Sequence, residues 1–278
     1  MNQPLISPEQ LQQRLLESDL VILDASIDFQ IQSEPEKDKR HVIPAAMRFD
    51  YDTQFSDPDA SLPHMMPSEA RFNQLARELG LNNNSTIVVY DNSGTFASPR
   101  AWWMLKAMGH KEVYVLDGGL TEWKNAGLPL ERSYASPSAN GDFCGKLNPR
   151  FFLSAEQVLE QTDNEASLTV DVRSKARFFA EVPEPRAELR SGHIPNSVCQ
   201  PFAELMNGHK IKPVEQLKSI LNSSIAQDKS HYIFSCGSGV TACIVLLASQ
   251  LCGYENLAVY DGSWTEWGQR QDLPIQTE

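Results

Sequence analysis

Short apolar runs rich in β-branched residues alternate along this chain with stretches in which apolar residues follow helical spacing. Four of these runs are the clearest, at 87–90, 113–116, 232–235 and 257–260. Each has the length and composition of a strand buried on both faces, and turns containing glycine follow several of them. The alternation predicts an α/β fold in which a parallel sheet is flanked by helices.

The whole pattern occurs twice, with a period near 147 residues. Ser7 and Gln10 fit a helix capping box in the first copy, and Ser154 and Gln157 fit the matching one in the second. Four further segments recur in the same order, namely 20–26 with 168–174, 41–46 with 192–197, 86–94 with 231–239, and 113–123 with 257–267. A period of this length indicates a duplicated domain rather than a solenoid of short repeats.

The domain organisation follows from this repeat. We predict a first domain at 1–130, a linker rich in Ser, Pro, Gly and Asn at 131–150, and a second domain at 151–278. A chain of 278 residues is long enough for two domains of ordinary size. Duplication also allows one copy to keep an activity that the other copy has lost.

Composition disfavours several classes of protein. The formal net charge of −12 argues against nucleic acid and anionic membranes as partners, because binding phosphate requires clustered Lys and Arg. The N-terminal sequence lacks a signal-peptide pattern, and the longest apolar run, at 240–252, is too short to span a membrane. Five cysteines, an odd number, indicate reduced thiols in a cytoplasmic protein. The spacings of Cys and His fit no metal site. For the oligomeric state, a monomer is the default expectation.

One cysteine stands apart from the other four. Cys236 follows the predicted strand at 232–235, and the small residues of CGSG at 236–239 lead into a predicted helix at 240–251. Such a loop turns successive N–H groups toward one point and can hold an anion at the start of the helix. A thiolate in that position is stabilised and reactive. The alternative is a buried structural cysteine beside an ordinary turn.

Several motifs together identify a family. CGSGVTA at 236–242, GHIP at 192–195, the DGGLTEW and DGSWTEW pair and the duplication itself resemble the two-domain, tandem rhodanese-like sulfurtransferases. The resemblance covers about residues 5–275 and, within that family, is closest to the 3-mercaptopyruvate sulfurtransferases. It implies a rhodanese-like fold in each half, no metal or organic cofactor, and ping-pong transfer of sulfur through a persulfide on Cys236. It also implies that the first domain is non-catalytic, because its Asp91 replaces the cysteine and cannot carry a transferable sulfur.

The resemblance implies that the cysteine loop binds the persulfide anion. Its six main-chain N–H groups would hold the anion, so the binding residues of the loop are Gly237, Gly239, Val240 and Thr241. Thiosulfate enzymes of the family carry positive side chains directly after the cysteine, which suit a dianionic donor. The corresponding positions here are uncharged, which favours 3-mercaptopyruvate as the donor.

Two arginines are the predicted carboxylate clamp. In the mercaptopyruvate enzymes that the chain resembles, the residues matching Arg177 and Arg186 bind the carboxylate and carbonyl of the donor. The guanidinium fork suits planar pairs of oxygen atoms. Taken as residues alone, two surface arginines in a solvated loop fit the sequence equally well. Arg173 and Arg190 are nearby alternatives.

The resemblance also implies a proton relay. Ser238 would be paired with an acid–base histidine, at His64, and an orienting carboxylate, at Asp52. In such a relay the carboxylate fixes the imidazole, and the imidazole exchanges protons with the hydroxyl. Asp50 lies two residues before Asp52 and is an alternative for the third member, and a polar loop residue is the alternative for His64.

The partners are a small-molecule donor and a nucleophilic acceptor. 3-Mercaptopyruvate is the expected donor, and a small thiol, thioredoxin or cyanide is the expected acceptor. A thiosulfate:cyanide sulfurtransferase and a non-enzymatic sulfur-relay or binding scaffold are the alternatives. A cysteine phosphatase is disfavoured, because its Cys-x5-Arg motif would need arginine where Ala242 stands.

Overall fold

The computed structural model describes residues 3–278, and these form two compact units. The first comprises residues 3–59, Met66–Asn148 and Asn207–Ile211, and the second comprises Ala60–Met65, Pro149–Met206 and Lys212–Glu278. Each unit therefore includes one short segment from the other half of the sequence. Within residues 3–278, no helix is long and apolar enough to cross a membrane.

The first unit contains a five-stranded sheet with the order β1-β5-β4-β2-β3, in which every paired strand is parallel. Its elements are β1 (Leu5–Ile6), α1 (Pro8–Arg14), β2 (Leu20–Asp24), β3 (Met47–Arg48), α2 (Glu69–Glu78), β4 (Thr86–Tyr90), α3 (Ser98–Ala107), β5 (Val113–Leu116) and α4 (Gly119–Asn125). The central strand β4 is buried at every residue, as the uninterrupted apolar run predicts.

The second unit repeats this topology, with a parallel sheet of order β6-β12-β11-β7-β8. Its elements are β6 (Phe152–Leu153), α5 (Ala155–Gln161), β7 (Ser167–Asp171), α6 (Lys175–Phe178), β8 (Val198–Cys199), a 3-10 helix (Phe202–Leu205), α7 (Val214–Ser224), β11 (His231–Ser235), α8 (Ala242–Leu251), β12 (Leu257–Tyr260) and α9 (Ser263–Trp267). A small two-stranded sheet pairs β9 (Met206–Asn207) with β10 (Lys210–Ile211). The shared strand order confirms the predicted α/β fold and its duplication.

The matching helix starts are also confirmed. In α1 and α5 the capping serine accepts a hydrogen bond from the backbone N–H of the glutamine three residues later, and that glutamine accepts one in return. These reciprocal bonds satisfy N–H groups that the first turn of a helix leaves without partners. The identical device in both copies explains why each helix begins at the same point of the repeat.

The stretch between the two sheets is ordered against the first unit as far as Asn148. Phe143 is 1% exposed, and the Asn73 side chain forms a reciprocal pair of hydrogen bonds with the backbone of Gly145. Val42 and Glu131 form an isolated β-bridge. The polar, proline-containing sequence of 131–148 thus lies along the surface of the first unit.

Candidate active site

The cysteine loop leaves the carboxyl end of the central strand of the second sheet. β11 ends at Ser235, Cys236 follows at once, and α8 begins at Ala242. The helix was predicted from 240, and this start is wrong because the backbone keeps turning through Val240 and Thr241 before helical bonding begins. The apolar character of Val240 serves burial in the loop rather than helix formation. Gly239, with φ of +75°, takes a left-handed conformation that favours glycine.

The first residues of α9 form hydrogen bonds with the backbone of the cysteine loop. The N–H of Trp264 donates to the carbonyl of Cys236 at 3.0 Å, and the N–H of Thr265 donates to that of Gly237 at 2.9 Å. The Thr265 hydroxyl donates to the same Gly237 carbonyl at 2.7 Å, and the N–H of Cys236 donates to Ser263 Oγ at 3.2 Å. These anchors fix the peptide planes of the loop.

Most of the N–H groups of the loop are left without protein partners. Cys236 is only 2% exposed, and its outer wall is formed by the half-buried Gly237 and Ser238. Within residues 3–278, no protein group accepts from the main-chain N–H of Gly237, Ser238, Val240, Thr241 or Ala242. Donors that surround a buried thiol act at low dielectric, where they stabilise an anion more strongly than in water.

The first unit shows the same loop with its donors occupied. Asp91 replaces the cysteine and is fully buried. Its carboxylate accepts from the N–H groups of Phe96, Ala97 and Ser98 at 3.0–3.1 Å and from the Ser98 hydroxyl. Burial raises the pKa of Asp91 to about 6, although these hydrogen bonds act in the opposite direction. This loop conformation therefore binds an anion, and in the first unit the anion is part of the chain.

The N–H groups that hold the carboxylate have counterparts beside Cys236. Counting from the two strand ends, Phe96 and Ala97 correspond to Thr241 and Ala242. The carboxylate fills the nest in one copy, and the corresponding donors are open in the other. The residue at the mouth of the loop is the carboxylate that fills the nest in the first unit and a cysteine in the second.

Both predicted clamp arginines lie beside this loop in the second unit. Arg177, on α6, places Nη2 3.9 Å from the point where a Cβ at Gly237 would stand. Arg186 donates from Nη1 to the Thr265 hydroxyl at 3.1 Å, and that hydroxyl is hydrogen-bonded to the Gly237 carbonyl. Arg186 is exposed and Arg177 is half-buried, and their role as a clamp stays a prediction.

A buried carboxylate holds Arg177 in place. Glu184 accepts from Arg177 Nε at 3.1 Å and from its Nη2 at 2.5 Å, and it also pairs with Arg173 Nη1 at 2.9 Å. The Glu184 side chain has no exposed surface. Since two donor positions on one edge of Arg177 are taken up by Glu184, the orientation of the guanidinium plane is fixed and its other donors stay available for a ligand.

Arg173 is a structural residue rather than a spare clamp. It pairs with Asp171, at the end of β7, donates to the Gly192 carbonyl at 2.7 Å, and stacks over the Trp264 ring at 4.1 Å. Burial opposes its charge, but Asp171 and Glu184 together raise the pKa of Arg173, and Cys236 contributes in the same direction. Arg190 likewise donates to main-chain carbonyls that include that of Trp267.

The three residues of the predicted relay lie in separate segments. Ser238 is in the cysteine loop, and its hydroxyl makes no hydrogen bond to any residue in 3–278. His64 is 5% exposed and belongs to Ala60–Met65, which is part of the second unit. Asp52 lies in the first unit, where burial and, to a smaller extent, Asp50 and Asp28 raise its pKa. The relay stays a prediction.

Sequence reasoning missed Glu184, Ser263 and Thr265. Glu184 stands in the same RFFAEVPEPR stretch as the two arginines, but nothing in the sequence distinguishes it from the exposed Glu181. Ser263 and Thr265 belong to the repeated DGSWTEW motif, which was interpreted as turn and packing. The available signal was Ser263, a hydroxyl residue where the first copy has Gly119, whereas Thr265 matches Thr121 and gave no signal.

Comparison with known proteins agrees with this geometry. The family model described as Rhodanese-like domain matches residues 7–126 and 154–270. A 3-mercaptopyruvate sulfurtransferase of Escherichia coli (strain K12) is 37% identical over 280 residues, covering 98% of this chain and 97% of that protein. A thiosulfate sulfurtransferase of Rattus norvegicus is 38% identical over 244 residues, covering 86% and 81%. The crystal structure of the E. coli 3-mercaptopyruvate sulfotransferase SseA matches with a TM-score of 0.81 and 34% identity over 94% of this chain and 98% of that one.

The two matched stretches contain every strand of the two parallel sheets except β1 and β6, and the second contains the cysteine loop with its open N–H groups. The similarity to the relatives extends over most of each chain. The chain therefore belongs to the rhodanese-like family and carries two copies of its domain.

Proposed function

We propose that this protein is a sulfurtransferase that moves sulfur from 3-mercaptopyruvate through a persulfide on Cys236 to a thiol or cyanide acceptor, releasing pyruvate. One observation carries the proposal. The loop that binds a carboxylate of its own chain in the first unit surrounds a cysteine in the second, and there its donors are open. A nest of this kind stabilises the thiolate before the reaction and the persulfide after it.

The proposed cycle balances in atoms and electrons. The Cys236 thiolate attacks the donor sulfur, and the carbon–sulfur electrons leave as the enolate of pyruvate. The proton of the donor thiol ends on the pyruvate methyl carbon, and a persulfide anion remains on the enzyme. An acceptor nucleophile then takes the outer sulfur and restores the thiolate, which is a ping-pong sequence. Neither half-reaction needs an external oxidant, metal or organic cofactor.

The two arginines complete the donor site in this proposal. The guanidinium of Arg177, held by Glu184, and that of Arg186, beside Thr265, bind the carboxylate and carbonyl of mercaptopyruvate. They orient the donor so that its sulfur meets Cys236, and positioning of this kind supplies a large part of many rate enhancements. They also stabilise the negative charge that builds on the enolate oxygen.

Ser238, His64 and Asp52 act as the proton relay in this proposal. Asp50 is the alternative to Asp52 in the orienting role, and its carboxylate accepts from the N–H groups of Asp52 and Thr53 and from the Thr53 hydroxyl. The relay carries the donor proton from sulfur to carbon.

Replacing His64 with alanine is expected to lower kcat with mercaptopyruvate by about 10²-fold, the usual range for loss of an acid–base group. Turnover of thiosulfate should change little, because its sulfite leaving group needs no proton on carbon. Steady-state kinetics with both donors measure this, with His209→Ala as the control and the melting temperature as a test of folding. Full activity of the His64 variant with mercaptopyruvate would remove the relay from the proposal.

The uncharged loop is the argument for mercaptopyruvate over thiosulfate. The family relatives include enzymes named for each donor. Steady-state comparison of the two donors with the unmodified protein tests the choice, and kcat/KM should favour mercaptopyruvate. A preference for thiosulfate would support the alternative, a thiosulfate:cyanide sulfurtransferase. Absence of turnover with both donors would favour a sulfur-relay or binding scaffold.

The variant Gly237→Arg/Ser238→Lys is expected to shift the ratio of kcat/KM values toward thiosulfate by at least about tenfold, equal to 1.4 kcal/mol. A side chain fits at Gly237, since its Cβ would meet no atom closer than 3.9 Å, and the added charges attract the dianion. Asn222→Arg/Ser223→Lys places the same two charges on exposed positions of α7 and should leave the ratio unchanged. Equal ratios in both variants would contradict the argument from loop charge.

The proposal also includes the sulfur acceptor, the cellular compartment and the oligomeric state. We infer that a small thiol, thioredoxin or cyanide accepts the sulfur, because each can attack a persulfide. We also infer reducing conditions such as those of the cytoplasm, because the sequence has an odd number of cysteines. A monomer suffices, because both predicted domains lie on one chain.

A further inference from the structure

The first unit contains a cavity of about 320 Å³ that the proposed reaction does not use. It lies beyond the carboxyl ends of β2, β3 and β4, where its walls include Ser26, Arg48 and Asn92. Crevices at this edge of a parallel sheet are the usual place for ligands in α/β proteins. The volume is within the range of small-molecule sites.

Two of the basic side chains that line this cavity have no acidic partner within the described residues. Three of its basic side chains are paired with acidic ones: Lys39 with Asp28 at 3.0 Å, His41 with Asp38 at 2.9 Å, and Arg48 with Asp50 at 3.8 Å. Arg40 and Arg132 also line the cavity, from exposed positions. Across residues 3–278, neither guanidinium group forms an ion pair or a hydrogen bond. Two unpaired guanidinium groups on one cavity suit an anionic ligand.

A buried polar side chain in the wall also lacks a partner. Asn92 is 8% exposed, and within the described residues its Oδ1 has no hydrogen-bond partner. Because Oδ1 is a hydrogen-bond acceptor, a ligand with a hydroxyl or N–H group that donates to it is favoured. Asn92 follows Asp91 as Gly237 follows Cys236. Asn92 is therefore the first-unit counterpart of Gly237, the loop residue that lies beside Arg177 in the second unit.

We propose that this cavity is a second binding site, for a small carboxylate or oxoanion, in the copy that has no nucleophile. Arg40 and Arg132 bind the negatively charged head, and Asn92 Oδ1 accepts a hydrogen bond from a hydroxyl or N–H group of the ligand body. The Asp91 carboxylate fills the adjacent nest of N–H groups, so the bound anion undergoes no sulfur chemistry. The site is independent of the proposed reaction at Cys236.

Calorimetric titration of the full chain tests the site, with lactate as the carboxylate probe and hydrogen phosphate as the oxoanion probe, because both carry a hydroxyl group that can donate to Asn92 Oδ1. The experiment starts from Cys236→Asp/Arg177→Ala/Arg186→Ala, in which a carboxylate fills the N–H nest as Asp91 does in the first unit and the proposed donor clamp is removed, so binding in the first unit is measured alone. One site should remain for at least one probe. Adding Arg40→Ala/Arg132→Ala should weaken it by at least about tenfold.

Lys111→Ala/Lys146→Ala is the matched control, because it removes two exposed positive charges from the same unit without touching the cavity. It should leave binding unchanged. The probe that binds with the higher affinity shows whether the site prefers a carboxylate or an oxoanion. No binding of either probe, or binding that persists in the Arg40 and Arg132 variant, would overturn the proposal whatever the protein does at Cys236.

Discussion

Replacing Cys236 with serine is expected to reduce sulfur transfer from either donor by at least about 10⁴-fold, to the assay background. The hydroxyl fits the same space, so the loop and its α9 anchors should be kept. It cannot form a persulfide, however, and both halves of the ping-pong cycle depend on that intermediate. Measurement of pyruvate release with mercaptopyruvate, and of thiocyanate with thiosulfate and cyanide, gives the result.

The other cysteines provide the control for this experiment. Burial raises the pKa of Cys199 to about 12 and also raises that of Cys252, so both stay protonated at neutral pH. Cys252→Ser, at the end of α8, should therefore retain full activity. Residual turnover of more than about 1% in the Cys236 variant, with its melting temperature unchanged, would assign the chemistry to another group.

The second large effect is expected from the clamp. Arg177→Ala/Arg186→Ala should lower kcat/KM for mercaptopyruvate by about 10²–10³-fold, because each lost charged hydrogen bond is worth about 1.5–3 kcal/mol and the two act on one ligand. The loss should appear in both parameters, because KM rises when the donor carboxylate loses its partners and kcat falls when the enolate oxygen loses its stabilising charges. Initial rates over a range of mercaptopyruvate concentrations separate the two parameters.

Two single variants sharpen the test of the clamp. Arg177→Lys keeps the charge but loses the fork, and should recover only part of the affinity. Glu184→Gln removes the charge that fixes Arg177, and should raise KM while the Cys236 persulfide still forms at saturating donor. Arg270→Ala, at an exposed ion pair, is the control. An unchanged KM in the double variant would contradict the clamp.

The fold was predictable because its hydrophobic pattern is strong and repeated. Runs such as Thr86–Tyr90 and His231–Ser235 are too apolar and too short to be anything but buried strands, and the second copy confirms each assignment in the first. The start of α8 was not predictable. Val240 continues the apolar periodicity of the helix, but its backbone belongs to the anion-binding loop.

The site was predictable only where chemistry requires a particular residue. The sequence singled out the thiol of Cys236 at the start of a glycine-containing loop, in which Gly239 has φ of +75°, and the family resemblance added Arg177 and Arg186. Glu184 could not be found in this way, because its role depends on burial between two arginines and not on its type. Ser263 and Thr265 could not be found either, because their contacts with the cysteine loop depend on the position of α9 after β12 in the folded structure.

The most direct test is the intact mass of the protein after brief incubation with mercaptopyruvate and removal of excess donor. We expect a gain of one sulfur atom that peptide mapping assigns to Cys236, that a reductant or cyanide removes, and that the Cys236→Ser variant does not show. No added sulfur on the unmodified protein, or a sulfur carried by one of the other four cysteines, would contradict the persulfide in the open N–H nest.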